Sequence, residues 1–429
     1  MGQMKDSGIE WIGEIPEKWS FSKLKYIGNY INGYAFKPDD WGSVGKKIIR
    51  IQDLTGSNDN PNYYNGTIDE KYNVTNGDIL VSWAATLDAF VWSKEDGLLN
   101  QHIFKAVPNE KVERTYFFWL IKEAMKNMNN DNKHGIFMQH VTLDVFNNFS
   151  VPIPPLPEQH LISAYLDRQC TLIDSVIEKT KASIEEYKKL RQAVITQAVT
   201  KGVRGDRAMK DSGIEWIGEI PEEWKTSKIR YIGTLQNGIS KGGDFFGEGF
   251  PFVSYGDVYK NFELPKYVAG LVRTSDKERQ IYSVEKGDIF FTRTSETIEE
   301  VGFSAVCTRT IDNATFAGFV IRLRPYKVDG IICTVFAKYY FRGEQIRKYL
   351  VKEMNLVTRA SLGQGLLNAM SVLIPPIAEQ QEIAAYLDQK CVEIDSLITK
   401  KEQFLTELDS YKKSLIYEYV TGKKEVPQA

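Results

Sequence analysis

Residues 157–200 read PEQHLISAYLDRQCTLIDSVIEKTKASIEEYKKLRQAVITQAVT, with no glycine and a single proline at the first position. Every seventh residue from Leu166 is Ile173, Thr180, Tyr187 and then Val194. Val176, Ile177, Ile184, Leu190 and Ala198 widen that stripe, and Glu178, Lys179, Lys181, Glu185, Glu186, Lys188 and Lys189 occupy the opposite side. A heptad-like stripe of this length predicts one long helix with a coiled-coil seam. At 1.5 Å per residue it spans roughly 60 Å, so it needs a partner along its length. The chain supplies one: from Leu387 the same step lands on Ile394, Lys401, Leu408 and Leu415, with Leu397, Ile398, Phe404, Leu405 and Tyr411 alongside. The seam expected between the two helices is Leu166, Ile173, Tyr187 and Val194 against Leu387, Ile394, Leu408 and Leu415.

The helix is one part of a larger duplication. Residues 4–28, MKDSGIEWIGEIPEKWSFSKLKYIG, match residues 209–233, MKDSGIEWIGEIPEEWKTSKIRYIG, at 20 of 25 positions. Residues 151–179 and 372–400 form a second matched pair, opening IPPLPEQ and IPPIAEQ. A period of just over 200 residues is too long for a solenoid and means two tandem copies of one unit. Met1–Gln3 precede the first copy and are expected to carry no structural role. Pro154-Pro155 and Pro375-Pro376 hold the chain extended before each helix, and Glu158 and Glu379 suit the first helical turn. The linker 200–206 and the tail 422–427 end the helices on glycine.

Between the matched stretches lie segments 29–150 and 234–371, which resemble each other only faintly. Both show short β-type runs, at 47–51, 78–83 and 102–107 and at 251–254, 288–292 and 318–323, broken by Gly, Asn, Asp and Pro. Gly77-Asp78-Ile79 and Gly287-Asp288-Ile289 open a strand in each, and helices are expected near 114–127 and 332–352. The fold class is α+β: two tandem α+β domains joined by two long helices, packed antiparallel about a pseudo-two-fold axis. The divisions expected along the chain are 1–150, 151–208 for the first helix and linker, 209–371, and 372–429 for the second helix.

With 429 residues, 42% hydrophobic and 26% charged, this is the composition of a multi-domain globular protein. No apolar run reaches a membrane span, and the first thirty residues contain no signal-peptide core. Four cysteines, Cys170, Cys307, Cys333 and Cys391, make no disulfide framework and fit a reducing cytoplasm. Cys170 and Cys391 are expected as small apolar residues beside the seam. All four histidines (102, 134, 140, 160) lie in the first copy, against a duplicated His-dependent site. No Cys/His spacing suggests zinc, Gly42–Lys46 is too short for a phosphate-binding loop, and paired carboxylates such as Glu185-Glu186 and Glu299-Glu300 read as solvated faces. No catalytic constellation and no metal site emerge.

The WIGEIPExW stretches at 11–19 and 216–224 resemble the specificity subunit of type I restriction-modification systems. So do IPPLPEQ at 153–159, IPPIAEQ at 374–380 and the YLDxxCxxIDS helix starts at 165–175 and 386–396. Ala378 departs from the pattern set by Pro157 without disturbing the helix start. The resemblance covers essentially the whole chain, and it implies a non-catalytic reader of double-stranded DNA. Two target-recognition domains would each read half of a bipartite asymmetric site, and the helices would set the spacer and dock two methyltransferase subunits. Restriction/translocase subunits would join later. S-adenosylmethionine and ATP would then belong to those partners, with no cofactor in this chain.

Residues 225–371 carry 21 Lys+Arg against 15 Asp+Glu, a net of +6, whereas residues 21–150 carry 14 against 15. Only the second domain has an electrostatic footprint. With a net charge of −2 the chain alone should bind DNA weakly. The candidate base readers are polar and basic loop residues: Lys37, Gln52, Asn58, Asn60, Asn62, Tyr63 and Tyr64 in the first domain, and Lys241, Ser254, Tyr255, Tyr259, Lys260, Arg293, Thr294 and Arg359 in the second. Arg and Lys suit guanine, and Asn and Gln suit adenine. Trp11, Trp19, Trp216 and Trp224 are expected to pack, because both copies hold them. The competing readings are a duplicated coiled-coil interaction scaffold and a solitary DNA-binding protein.

Overall fold

The computed structural model describes residues 3–58, 60–131, 140–295, 301–354 and 360–427. The two long helices form as the heptads predict, a central helix Leu156–Lys201 and a terminal helix Ile377–Val420. The chain gathers into two compact units that divide these helices: unit 1 holds residues 1–180 and 403–429, and unit 2 holds residues 181–402.

Unit 1 begins with a hairpin, Met4–Asp6 against Glu14–Pro16. Its turn closes on Gly13 at φ +69°, a conformation that a side chain would strain. Gln3 is part of this hairpin after all, because its carbonyl accepts from the Glu17 amide. A four-stranded antiparallel sheet follows, in the order Gly28–Asn32, Ile103–Pro108, Ile79–Ser82, Asp88–Val91. Beside it a smaller sheet pairs Lys46–Ile49 in parallel with Gly97–Leu99. Strand Ser20–Lys23 pairs with Ser150–Ile153, so the two ends of the domain meet just before the central helix starts. The core joins Trp19, Phe104, Phe117, Leu120 and Phe146 to Ile162, Leu166, Cys170 and Ile173 of the central helix and to Leu415, Ile416 and Tyr419 of the terminal helix. Trp11 stacks on Phe149 at 5.5 Å and donates to the Ser150 carbonyl, which is a packing role.

Unit 2 repeats this plan. Its hairpin pairs Met209–Asp211 with Glu219–Pro221, and its main sheet runs Gly233–Asn237, Val320–Pro325, Ile289–Thr292, Ser304–Val306, again antiparallel. Lys225–Lys228 pairs with Ser371–Ile374 ahead of the terminal helix. The helix expected over 332–352 is two helices, Thr334–Tyr340 and Glu344–Glu353, parted at Gly343. Trp216 stacks on Tyr349 at 4.9 Å, and Trp224 is fully buried.

Within each unit the helix segments are antiparallel. In unit 1 the Tyr165 and Tyr419 rings lie 4.6 Å apart and Lys412 binds Asp174 at 2.6 Å, so one number rises as the other falls. In unit 2 the partners are Tyr187 with Lys401, Arg191 with Asp395 at 2.9 Å and Arg204 with Glu382 at 2.8 Å. The seam is narrower than the sequence stripe. Leu166, Ile173, Leu387, Ile394 and Leu415 are buried and Tyr187, Val194 and Leu408 partly so, but Val176, Leu190, Leu397, Phe404 and Tyr411 are exposed. Among the flanking residues Ile184, Ala198 and Ile398 are buried, so the buried face takes two adjacent rows of each helix and only the residues farther round fall outside it. Cys170 and Cys391 are buried free thiols, and burial pushes Cys170 up to about 11.

The repeated PEQ and AEQ motifs acquire a physical meaning here. Gln159 is fully buried; its carbonyl accepts from the Glu113 amide at 2.8 Å and its amide donates to the Pro154 and Lys111 carbonyls. Gln380 does the same for the Cys333 amide and for the Pro375 and Ile331 carbonyls. Beside it Glu379, also fully buried, takes the Trp224 indole N–H at 3.0 Å and the Arg207 guanidinium at 3.2 Å. Burial alone would raise the Glu379 pKa, but these two donors hold it below the ordinary 4.5. Its contribution to stability is therefore complete above pH 4.5 and is lost as pH falls through the lowered folded value. Acid titration of unfolding should show this limb in the wild type. Glu379→Gln should flatten it, and an unchanged acid limb would refute the assignment.

Candidate nucleic-acid interface

The site of interest in unit 1 is built on a five-residue helix, Ile51–Thr55, that follows strand Lys46–Ile49. Asp53 fixes it: the carboxylate is buried, accepts from the Arg50 amide at 2.9 Å and binds Lys47 at 3.2 Å. Lys94 donates to the Asp53 carbonyl at 2.7 Å. The helix forms one wall of an open cleft of about 350 Å³. The other walls are the turns at Ala85-Thr86 and at Asn100-Gln101-His102. Arg50, Gln52, Asn100 and Gln101 line the cleft, and the Arg50 guanidinium lies 5.2 Å from the Trp41 ring.

Of the residues read from the sequence, Gln52 lies in this cleft, exposed. Lys37 is exposed at the start of a short turn. Asn58 and Asn60 form a turn of their own, with the Asn60 amide donating to Asn58 Oδ1. Asn62 and Tyr63 are half-buried beside strand Lys46–Ile49, and Tyr64 packs edge-on against Phe36 at 5.2 Å.

In unit 2 the equivalent helix is Tyr255–Lys260. Ser254 is its N-cap, exchanging hydrogen bonds with Asp257, so its hydroxyl is engaged in structure. Lys241 is likewise engaged, ion-paired to Glu278 at 2.5 Å. Tyr255 and Tyr259 stack at 6.0 Å, Lys260 is exposed, and Arg293 and Thr294 follow strand Ile289–Thr292. Thr294 lies 3.5 Å from Ser361. Arg359, His134, Glu299 and Glu300 lie outside the described residues.

The basic excess of unit 2 is smaller at the surface than its sequence implies. Arg322 and Arg342 are buried, and Arg324 spans Asp288 at 2.6 Å and Glu285 at 2.8 Å. Arg342 donates to the carbonyls of Ser304, Val258, Tyr259 and Asn261, between the Phe262 and Phe303 rings. Burial, helped by Arg347 and Arg191, lowers it to about 10, which leaves it charged at neutral pH. Three of its four acceptors lie in or just after the helix Tyr255–Lys260, which Arg342 thereby holds in place. Sequence reading missed this residue and missed Arg50, Asn100, Gln101 and His102, because none stands in a motif. Among the described residues no group of three or more His, Cys, Asp and Glu is placed to hold a metal, and no helix is long and apolar enough to cross a membrane.

Two α+β units of one topology, each resting on half of the same two helices and each presenting a different surface, define a duplicated recognition protein. Residues 16–186 and 221–407 match the type I restriction modification DNA specificity domain, and the chain belongs to that family. It is 26% identical over 437 residues to the type I restriction enzyme EcoBI specificity subunit of Escherichia coli, covering 98% of this chain and 89% of that one. It is 23% identical over 364 residues to the MjaVIII specificity subunit of Methanocaldococcus jannaschii, covering 82% and 80%. In fold it is similar to a chain solved in a study of assembly and conformational transition of the type I R-M system, with a TM-score of 0.70, 16% identity and coverage of 96% and 99%. The HsdS subunit from Thermoanaerobacter tengcongensis gives a TM-score of 0.51 at 16% identity, with coverage of 96% and 98%.

Proposed function

We propose that this chain is the non-catalytic DNA-reading subunit of a type I restriction-modification enzyme, and that each unit reads one half of a bipartite asymmetric target. The observation that carries the reading is the contrast inside the duplication. The two units share sheet order, strand direction and helix attachment, yet differ in the residues placed around the short helix after the first strand of the smaller sheet. A scaffold kept twice with its faces changed is what reading two unlike sequences requires.

The long helices dock two methyltransferase subunits and set the spacer between half-sites. In support, unit 1 exposes Leu156 and Val176, and unit 2 exposes Ile377 and Leu397 at the matching positions. Equivalent exposed apolar residues in each unit suit one kind of partner bound twice. Restriction/translocase subunits join that assembly, and S-adenosylmethionine and ATP are bound by the partners. A mere interaction scaffold would need no pair of unlike polar faces.

Replacing residues 234–371 by the corresponding segment of another specificity subunit should change one half of the methylated motif and leave the other half intact. Sequencing of methylated bases in cells carrying the chimaera with its methyltransferase checks this. A motif changed in both halves, or in neither, refutes modular reading.

A further inference from the structure

Resting on the DNA-reading function proposed above, we infer that the polar cleft of unit 1 is its base-reading surface, with Gln52 and Gln101 as specificity-determining residues and Arg50 beside them. The side-chain polar groups of Arg50, Gln52, Asn100 and Gln101 have no hydrogen-bond partner among the described residues. Their neighbours Lys47, Asp53 and Lys94 are all engaged in holding the walls. Residues bearing amides free of hydrogen bonds thus line an opening of about 350 Å³, with Arg50, held over the Trp41 ring, beside them. Amide side chains pair in bidentate fashion with the major-groove edge of adenine, and guanidinium with that of guanine.

The walls are held in an unusual shape. Ala85 at φ +59° and His102 at φ +73° are both non-glycine residues in the left-handed region, and both line this cleft. Such conformations persist where the surroundings over-determine them, and they cluster at functional sites. Here the His102 ring packs at 4.8 Å from Trp83, whose backbone amide donates to the His102 carbonyl at 3.2 Å. The turn that carries Gln101 is thus fixed before any ligand arrives, which lowers the ordering cost of contact.

Unit 2 supplies an independent observation. Its Arg293 amide donates to the Phe319 carbonyl as Trp83 does to His102, and Ser254 and Asp257 stand where Arg50 and Asp53 stand in unit 1. By these equivalences Gly256 and Gly318 stand where unit 1 has Gln52 and Gln101, and Tyr255, Arg293 and an exposed Phe319 replace Ile51, Trp83 and His102. The chemistry is exchanged while the framework is retained, as two different half-sites demand.

The test uses the full chain assembled with its methyltransferase subunits, on duplexes in which each base pair of the methylated motif is replaced in turn. Gln52→Ala/Gln101→Ala should lose about ten- to a hundredfold of discrimination at one or two neighbouring base pairs of a single half-site, with the other half still discriminated. Its melting temperature should equal that of the wild type, because neither side chain is buried or bonded to a described residue. Unchanged discrimination at every position, or a loss spread over both halves, overturns the inference. A wild-type complex that methylates no defined motif overturns the proposed function as well, so the two failures are distinguishable.

Discussion

Replacing Arg342 by alanine is expected to destabilise unit 2 by about 3–5 kcal/mol, the range for large-to-small changes that also strand buried polar groups. The guanidinium is 7% exposed and serves the carbonyls of Ser304, Val258, Tyr259 and Asn261. Removing it leaves those oxygens without donors and opens a gap between the Phe262 and Phe303 rings. At roughly 2–4 °C per kcal/mol for a unit of this size, the melting transition of unit 2 should fall by about 6–20 °C. Amide exchange should accelerate first over residues 255–262, the stretch the guanidinium binds. Arg342→Lys should recover only part of the loss, because an ammonium is a point donor and cannot bridge acceptors in a planar fork. A melting point within 2 °C of wild type for Arg342→Ala would show that water satisfies the carbonyls equally well.

Gln380→Leu should cost unit 2 about 2–4 kcal/mol, since it leaves the Cys333 amide and the Pro375 and Ile331 carbonyls unpaired at a fully buried position. Gln159→Leu should cost unit 1 a similar amount through the Glu113 amide and the Pro154 and Lys111 carbonyls. Glutamate is the sharper substitution at either position. It keeps the acceptor, loses both donations and places a charge in the core, so at neutral pH it should destabilise more than leucine. Exchange protection of the Cys333 and Glu113 amides reads each unit separately. Gln380→Leu should release Cys333 and leave Glu113 protected, and loss at both amides would contradict the expectation that each glutamine acts within its own unit.

Gln380 and Arg342 differ in how much of their role is written locally in the chain. Gln380 sits in a stretch that occurs twice, so its importance is visible in the repeat even though its partners are not. Arg342 occurs once, in a segment without repeat or motif, and its acceptors Val258 and Ser304 are 84 and 38 residues away. Nothing local announces such a contact. Among the proposed readers, Ser254 opens a Ser-x-x-Asp spacing that suits a helix cap, and its exchange with Asp257 shows that it is one.

The duplication, the two long helices and the α+β class of both units follow from the amino-acid sequence alone. These are legible because repeats and heptads are local or periodic signals, written in residues whose spacing follows the 3.6-residue turn. The width of the seam, the interior fate of Arg322 and Arg342, and the meeting of Arg50, Gln52 and Gln101 around one cleft follow from tertiary packing. Burial and convergence depend on which distant strands pair. Lys46–Ile49 runs parallel to Gly97–Leu99, and that pairing brings residues 50–52 to the same opening as residue 101. A parallel pair needs a long crossover between its strands, so the spacing of the residues it unites carries no periodic signature in the chain.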